Sequence, residues 1–271
     1  MTPPVPIRRD LTLAYAGSLL VAVGIGVASV AGLVSRTDEL YGETSLVLVS
    51  RGADAANLVL VLPILLGAMW LARRGSLFGL LLWPGALFYA MYAYVPYLVG
   101  APFGGLFFVH AGLVTLSAFT VIGILASIDG AEVRRRLAGA PARGVGAALV
   151  VIAVAAYVGL TSAAVSVLDD PAAEAATRPL AVADWAVGRP VLLAGGVLLW
   201  LRAPLGYVAA PGLLLVSGLG GVVFAVAAFL DNLQSGPQTD AAVIAVHLVI
   251  SAVSLTLLGL FARGATSDGG S

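Results

Sequence analysis

Long apolar runs broken by short polar stretches dominate the chain. Eight of them, at 11–34, 49–72, 76–99, 103–127, 144–168, 180–201, 204–230 and 240–262, are long enough to cross a bilayer, which takes about 20 mostly apolar residues in a helix. The pattern predicts an all-α polytopic membrane protein with eight transmembrane helices. The first run follows the basic pair Arg8 and Arg9. It is longer than the roughly 7–15-residue apolar core of a signal peptide, so it reads as a retained span.

The polar stretches between the runs carry an orientation signal. With both termini in the cytoplasm, the inner segments hold Arg8, Arg9, Arg73, Arg74, Arg134, Arg135, Arg136, Arg143, Arg202 and Arg263. The outer segments hold Arg36, Arg51, Arg178 and Arg189, while the acids, including Asp38, Glu39, Glu43, Asp169, Asp170 and Glu174, favour the outer side. This is the positive-inside pattern, and it predicts a multi-pass protein of a cell inner membrane with both termini cytoplasmic.

The two halves of the chain share an order of features. Asp54 precedes Trp70 by 16 residues, as Asp184 precedes Trp200; arginine follows each tryptophan, and Gly79–Pro84 is matched by Gly206–Pro211. The runs "FFVHAGLVTLSAFTVIGILA" and "IAVHLVISAVSLTLLGLFA" each hold one of the only two histidines, His110 and His247. These matches predict two tandem four-helix repeats, 1–130 and 144–271, joined by a cytoplasmic linker at 131–143. An even number of spans per repeat leaves both copies in one orientation, an architecture with a pseudo-twofold axis along the membrane normal. Trp70 and Trp200 fall beside arginines at the inner interface, where aromatic side chains anchor.

Composition narrows the chemistry. The chain is 60% hydrophobic and 10% charged, with a mean hydropathy of +1.04. It has no cysteine, which removes disulfides and thiolate chemistry, and no lysine, which removes a retinal Schiff base. There is no basic domain for nucleic acid. The expected surroundings are the lipid bilayer, with a small solute or ion as candidate ligand and no cofactor called for.

Polar residues at membrane depth usually face a bundle interior and mark a pathway or site. His110 and His247 each lie about seven residues into their runs, roughly 10 Å below the outer end at 1.5 Å per residue. Asp54 and Asp184 enter from the same side, roughly 7 Å in. Asn57 is one turn after Asp54. Span three carries Tyr89, Tyr92, Tyr94 and Tyr97, whereas span seven has no tyrosine in its outer half. The expectation is therefore one outer-facing Asp/His/Tyr pocket in the first half, around Asp54, Tyr92 and His110. Arg189 is embedded in span six and positioned to pair with Asp184 or to hold an anionic group. Pro63, Pro84, Pro96 and Pro211 are expected to kink their spans.

Four readings of these residues stay open. Asp54 and His110 form a protonatable pair linked to solute or proton movement. Alternatively His110, His247, Asp54 and Asp184 ligate a metal, or the two histidines ligate one haem, or every polar group is satisfied within the bundle of a non-catalytic membrane subunit. No GxSxG or HExxH motif supports a hydrolase, and an enzyme is the less favoured reading. A permease-like protein is the leading one.

The run "ARRGSLFGLLLWPGALFYAMYAYVPYLVGAPFGGLFFVHAGLVTLS" resembles a large family of multi-spanning membrane proteins of bacteria and archaea. The likeness covers spans two to four and, more loosely, "LLWLRAPLGYVAAPG" of the second half. It implies a prokaryotic origin and carries no activity.

Overall fold

The structure, a computed structural model, describes residues 5–35, 46–101, 103–235 and 239–266. Asp38, Glu39, Glu43 and Arg36 of the outer charge pattern lie outside them. Eight helices are long and apolar enough to span a membrane: Thr12–Val34, Arg51–Arg73, Leu77–Gly100, Gly105–Ser127, Ala142–Ser166, Pro171–Trp200, Pro204–Leu230 and Ala241–Gly264, here spans one to eight. Among the described residues there is no strand, only one isolated bridge, Ile7 with Ile128, which ties the N-terminal stretch to the end of span four. Ile7 lies beside Ile128 and Gly264 beside Ala140, so the two described ends of the chain lie on the face where spans four and five are joined.

Spans three and seven form the centre. In their most apolar stretches 67% and 56% of residues are buried, against 11% in spans five and eight, which therefore form the outer flank of the bundle. The central pair cross at Gly85 and Gly212: a Cβ on Gly85 would lie 2.3 Å from the Gly212 Cα. Only glycine permits that approach, the small-residue device of membrane helix packing. Span three also packs on spans two, four and six, and span seven on spans six, eight and two. Span one closes the first half. Gly17 abuts Thr120, Gly24 abuts Leu113, and Ser18 accepts a 2.8 Å hydrogen bond from the fully buried Trp83 indole. Span five instead packs on span six, where Gly146 meets the Trp200 and Gly196 backbone.

Spans two and six are each interrupted by a π turn. Span two runs as helix Leu46–Ala56, π turn Asn57–Val61 and helix Leu62–Arg73; span six as helix Pro171–Ala183, π turn Asp184–Gly188 and helix Arg189–Trp200. In each, a proline (Pro63, Pro190) follows the turn by two residues. Proline has no N–H and crowds the carbonyl four residues back, so the backbone shifts to i→i+5 bonding, with the Leu62 N–H on the Asn57 carbonyl and the Arg189 N–H on the Asp184 carbonyl. Pro84, Pro96 and Pro211 sit inside helices that continue through them.

Span six starts at Pro171, nine residues before the sequence-based boundary at 180. Asp170 caps it, accepting from the Ala172 and Ala173 N–H groups, and Pro171 occupies the first turn, where its missing donor costs nothing. Asp184 thus lies 13 residues into the helix, about 20 Å along its axis rather than near its mouth. Asp54, eight residues past Leu46, lies about 12 Å along.

Backbone landmarks recur 127 positions apart. They are the two π turns, the left-handed turn residues Gly75 (φ 85°) and Arg202 (φ 56°), and the facing Gly85 and Gly212. Gly79 and Gly206 also correspond, each pressed on the preceding span at the Ala72 and Leu199 nitrogens. In this register Asp184 matches Asn57, not Asp54, and Trp200 matches Arg73. The Asp54–Asp184 and Trp70–Trp200 matches read from the sequence are 130 apart, close to one helical turn out of step with the backbone, whereas Gly79–Gly206 and Pro84–Pro211 keep its register.

Candidate functional site

The polar residues of the first half gather between spans one, two, three and four. Asp54 (2% exposed) lies in the last turn of the first helix of span two and Asn57 (5%) opens the π turn, one turn apart on one face. From span three, Tyr94 reaches into this layer, and its hydroxyl accepts a long 3.4 Å hydrogen bond from Asn57 Nδ2. Ser29 of span one, fully buried, lies beside both the Asp54 carboxyl and the Tyr94 hydroxyl. His110, 1% exposed, packs its ring 5.3 Å from that of Tyr94 and 4.7 Å from that of Tyr97. Two oxygens in this enclosed layer, Asp54 Oδ2 and Ser29 Oγ, have no hydrogen-bond partner among the described residues.

A second group lies on the opposite side of span three. The Tyr92 hydroxyl donates to Asp184 Oδ1 at 2.8 Å, and Arg189 Nη2 contacts the same oxygen at 3.0 Å. The π turn makes the ion pair possible: i→i+5 winding brings residues five apart nearly into line, where a regular helix would turn them away. Gly188 leaves room for the Tyr92 ring, whose edge lies 3.0 Å from where a Cβ would sit. The Arg189 side chain is 25% exposed and paired with Asp184, one of the two roles the sequence offered it.

The expected single pocket is therefore divided. Tyr92 serves Asp184, and Tyr94 takes the place beside Asp54 and His110. Two residues along a helix is about 200° of rotation, so adjacent tyrosines of "YAY" point to opposite sides of span three. Asp54 and His110 form no direct ion pair; Tyr94 lies between their neighbourhoods. Tyr89 sits in the seam with span seven, 3.9 Å from the position of a Gly220 Cβ. His247 belongs to neither group: half-buried, it stacks on Phe224 at 3.9 Å, and its Nδ1 is 2.8 Å from the Val243 carbonyl. This pairing repeats that of His110 with Tyr97, since Phe224 stands 127 positions after Tyr97.

These placements bear on the metal and haem readings. Among the described residues no three His, Asp or Glu side chains converge, so the set Asp54, Asp184, His110 and His247 is not assembled. Each histidine is engaged with its neighbouring central span rather than with its counterpart.

The electrostatics of the two aspartates differ. The ion pairs among the described residues are Arg8–Asp129, Glu132 with Arg135 and Arg136, Glu174–Arg178 and Asp184–Arg189; Asp54 is in none. A carboxylate buried without a counter-charge costs several kcal/mol. Two surface recesses, about 420 Å³ along span five and about 250 Å³ between spans five and six, are lined by no residue of either group. The Asp54 layer is enclosed by protein here, not open as the outer-facing pocket was expected to be. On the face of the termini, outside the spans, Arg8 bonded to Asp129 at 2.9 Å holds that carboxyl below its ordinary range, and Arg136 with Arg135 does the same for Glu132.

Ser29 and Tyr94 are the residues that sequence reasoning left out of the site. Tyr94 was visible as one of four tyrosines but was assigned no partner. Ser29 stands in "VASVAGLV", where its only signal was a hydroxyl in an apolar run. No family model, curated protein or solved structure matches the chain.

Proposed function

We propose that this chain is a permease-like membrane protein that handles a small solute or ion at the Asp54 layer of its first four spans. The observation that carries the reading is the contrast between two buried acids. Asp184 has its own guanidinium and a tyrosine hydroxyl, whereas Asp54 stands near hydroxyls and an amide and pairs with no cation among the described residues. A protein that only needed a stable polar layer would gain by pairing or removing such a group. An acid kept uncompensated at membrane depth is the usual mark of a translocated or coupling ligand.

The two π turns support the same reading, since broken helices in transporters expose backbone groups to their ligands. The 127-residue register of spans two and three with spans six and seven supports two related four-helix units, 1–130 and 144–271, joined by 131–143. The arginine distribution supports cytoplasmic termini in a prokaryotic inner membrane. Asp54 then lies toward the outer end of span two.

The test is uptake by purified protein in liposomes, screened over small organic solutes and monovalent ions. Asp54→Asn should abolish any uptake found, while Trp200→Phe at the interface should retain it. Uptake that survives Asp54→Asn refutes the assignment. The absence of uptake for every solute favours a non-catalytic membrane subunit, a reading that the enclosed state of the layer also fits.

A further inference from the structure

We propose that the Asp54 layer is a binding site for a sodium-sized monovalent cation, with Asp54, Ser29, Asn57 and Tyr94 as its side-chain oxygen donors. The assignment rests on the reading of this layer as a ligand site and names what the ligand is. Four observations support it.

The first is charge. One carboxylate with neutral oxygens around it is balanced by a single positive charge; a divalent ion would leave an excess charge buried, at a cost of several kcal/mol. The second is unfilled acceptor capacity. Asp54 Oδ2 is buried without a hydrogen-bond partner among the described residues, and Ser29 Oγ lies beside the Asp54 carboxyl and the Tyr94 hydroxyl without the geometry of a full hydrogen bond to either. Asn57 directs its amide nitrogen to Tyr94, leaving the amide oxygen for another contact. Oxygens in this number suit a hard cation, whereas a proton on Asp54 would occupy one oxygen and donate to one other.

The third is the backbone. The π turn begins at Asn57, so the helix of span two is broken at the layer itself, as ion-binding helices of transporters are. The fourth is internal comparison. In the second half the π turn carries its own cation: Arg189 immediately follows it and contacts Asp184. The matching residue in span two, 127 positions earlier, is Leu62. At the residue that follows the π turn, the first half thus lacks the charge that the second half supplies.

The experiment uses the full chain purified in detergent. Thermal unfolding is followed in sodium, lithium, potassium and choline chloride at constant ionic strength and at several pH values, alongside equilibrium binding of radioactive sodium. The expected result is a sodium-dependent rise in Tm with saturable binding of one ion per chain. Asp54→Asn should abolish both, and Ser29→Ala should weaken binding about tenfold, the equivalent of about 1.4 kcal/mol. Trp200→Phe should change neither. Wild-type binding is read directly, so a variant that fails to fold does not blunt the test. Stability that follows pH with no dependence on any cation overturns the proposal and makes Asp54 a proton site. Sodium binding without uptake of any solute leaves this site standing and removes the permease reading. Uptake without sodium dependence does the reverse.

Discussion

Tyr92 and Asp184 are joined by a 2.8 Å hydrogen bond that links spans three and six across the two halves of the molecule. The same carboxylate oxygen takes Arg189 at 3.0 Å, so one buried acid holds a phenol and a guanidinium together. Tyr94, two residues further on, turns to the other side of span three and meets a buried acid that has no such cation among the described residues.

The Asp184–Arg189 pair should be costly to break from one side. Arg189→Met leaves Asp184 buried without a counter-charge, and the expected loss is about 3–5 kcal/mol. The double variant Asp184→Leu, Arg189→Met should lose clearly less than the sum of the two single changes. A double-mutant cycle on denaturation in detergent measures the difference, and additive losses would show that the pair is not coupled.

Asp54→Asn should behave in the opposite way. In buffer with choline as the only cation, it removes a buried charge and leaves a side chain of the same shape. Its Tm should equal or exceed that of the wild type. A large drop would indicate a counter-charge on Asp54 already supplied by the protein.

The crossing of the central spans tolerates no side chain. Gly85→Ala places a Cβ against the Gly212 backbone, and the spans must part; overpacking of this kind costs about 1–3 kcal/mol. Gly67→Ala, on span two with nothing within 4 Å of the added carbon, should be near neutral. Comparing the Tm of the two variants checks this.

The ion pair between Arg8 and Asp129 ties the N-terminal stretch to the end of span four. Because Arg8 depresses the Asp129 pKa in the folded protein, the pair contributes fully above the unfolded carboxylate value. That contribution fades as pH falls through the lower folded value. Fraying of residues 5–10, read by hydrogen exchange at the Arg8 amide that bonds the Ser127 carbonyl, should therefore increase on acidification. Arg8→Gln should move the transition to higher pH. Both groups face water, so the effect on global stability should be slight.

The cysteine-free sequence makes orientation directly testable. Arg134→Cys should react with a membrane-impermeant thiol reagent only in inverted vesicles, and Asp169→Cys only in intact cells. The reverse labelling would invert the assigned topology and place the Asp54 layer nearer the cytoplasm.

Much of the architecture was legible along the chain because the bilayer imposes a simple rule: each crossing needs an apolar helix of fixed length. That rule placed seven of the eight spans within a few residues of their helices. It failed at span six, where alanine-rich, mildly polar residues 171–179 extend the helix below the hydropathy threshold, stabilised by the Asp170 cap and the Glu174–Arg178 pair.

The candidate site was only half legible. Asp54, Asn57 and His110 stood out because polar groups are rare in such runs. Their partners did not, because a helix turns by 100° per residue and a list of tyrosines does not say which one faces which neighbour. By itself, the sequence determined the membrane class, the helix count and the polar residues at depth, since these follow from local composition and transfer free energy. Only the tertiary structure decided that Tyr94 rather than Tyr92 stands beside Asp54, that His247 is outside the layer, and that Arg189 neutralises Asp184 alone. Those outcomes depend on the two proline-induced π turns and on the Gly85–Gly212 contact, which set the rotation and approach of helices far apart in the chain.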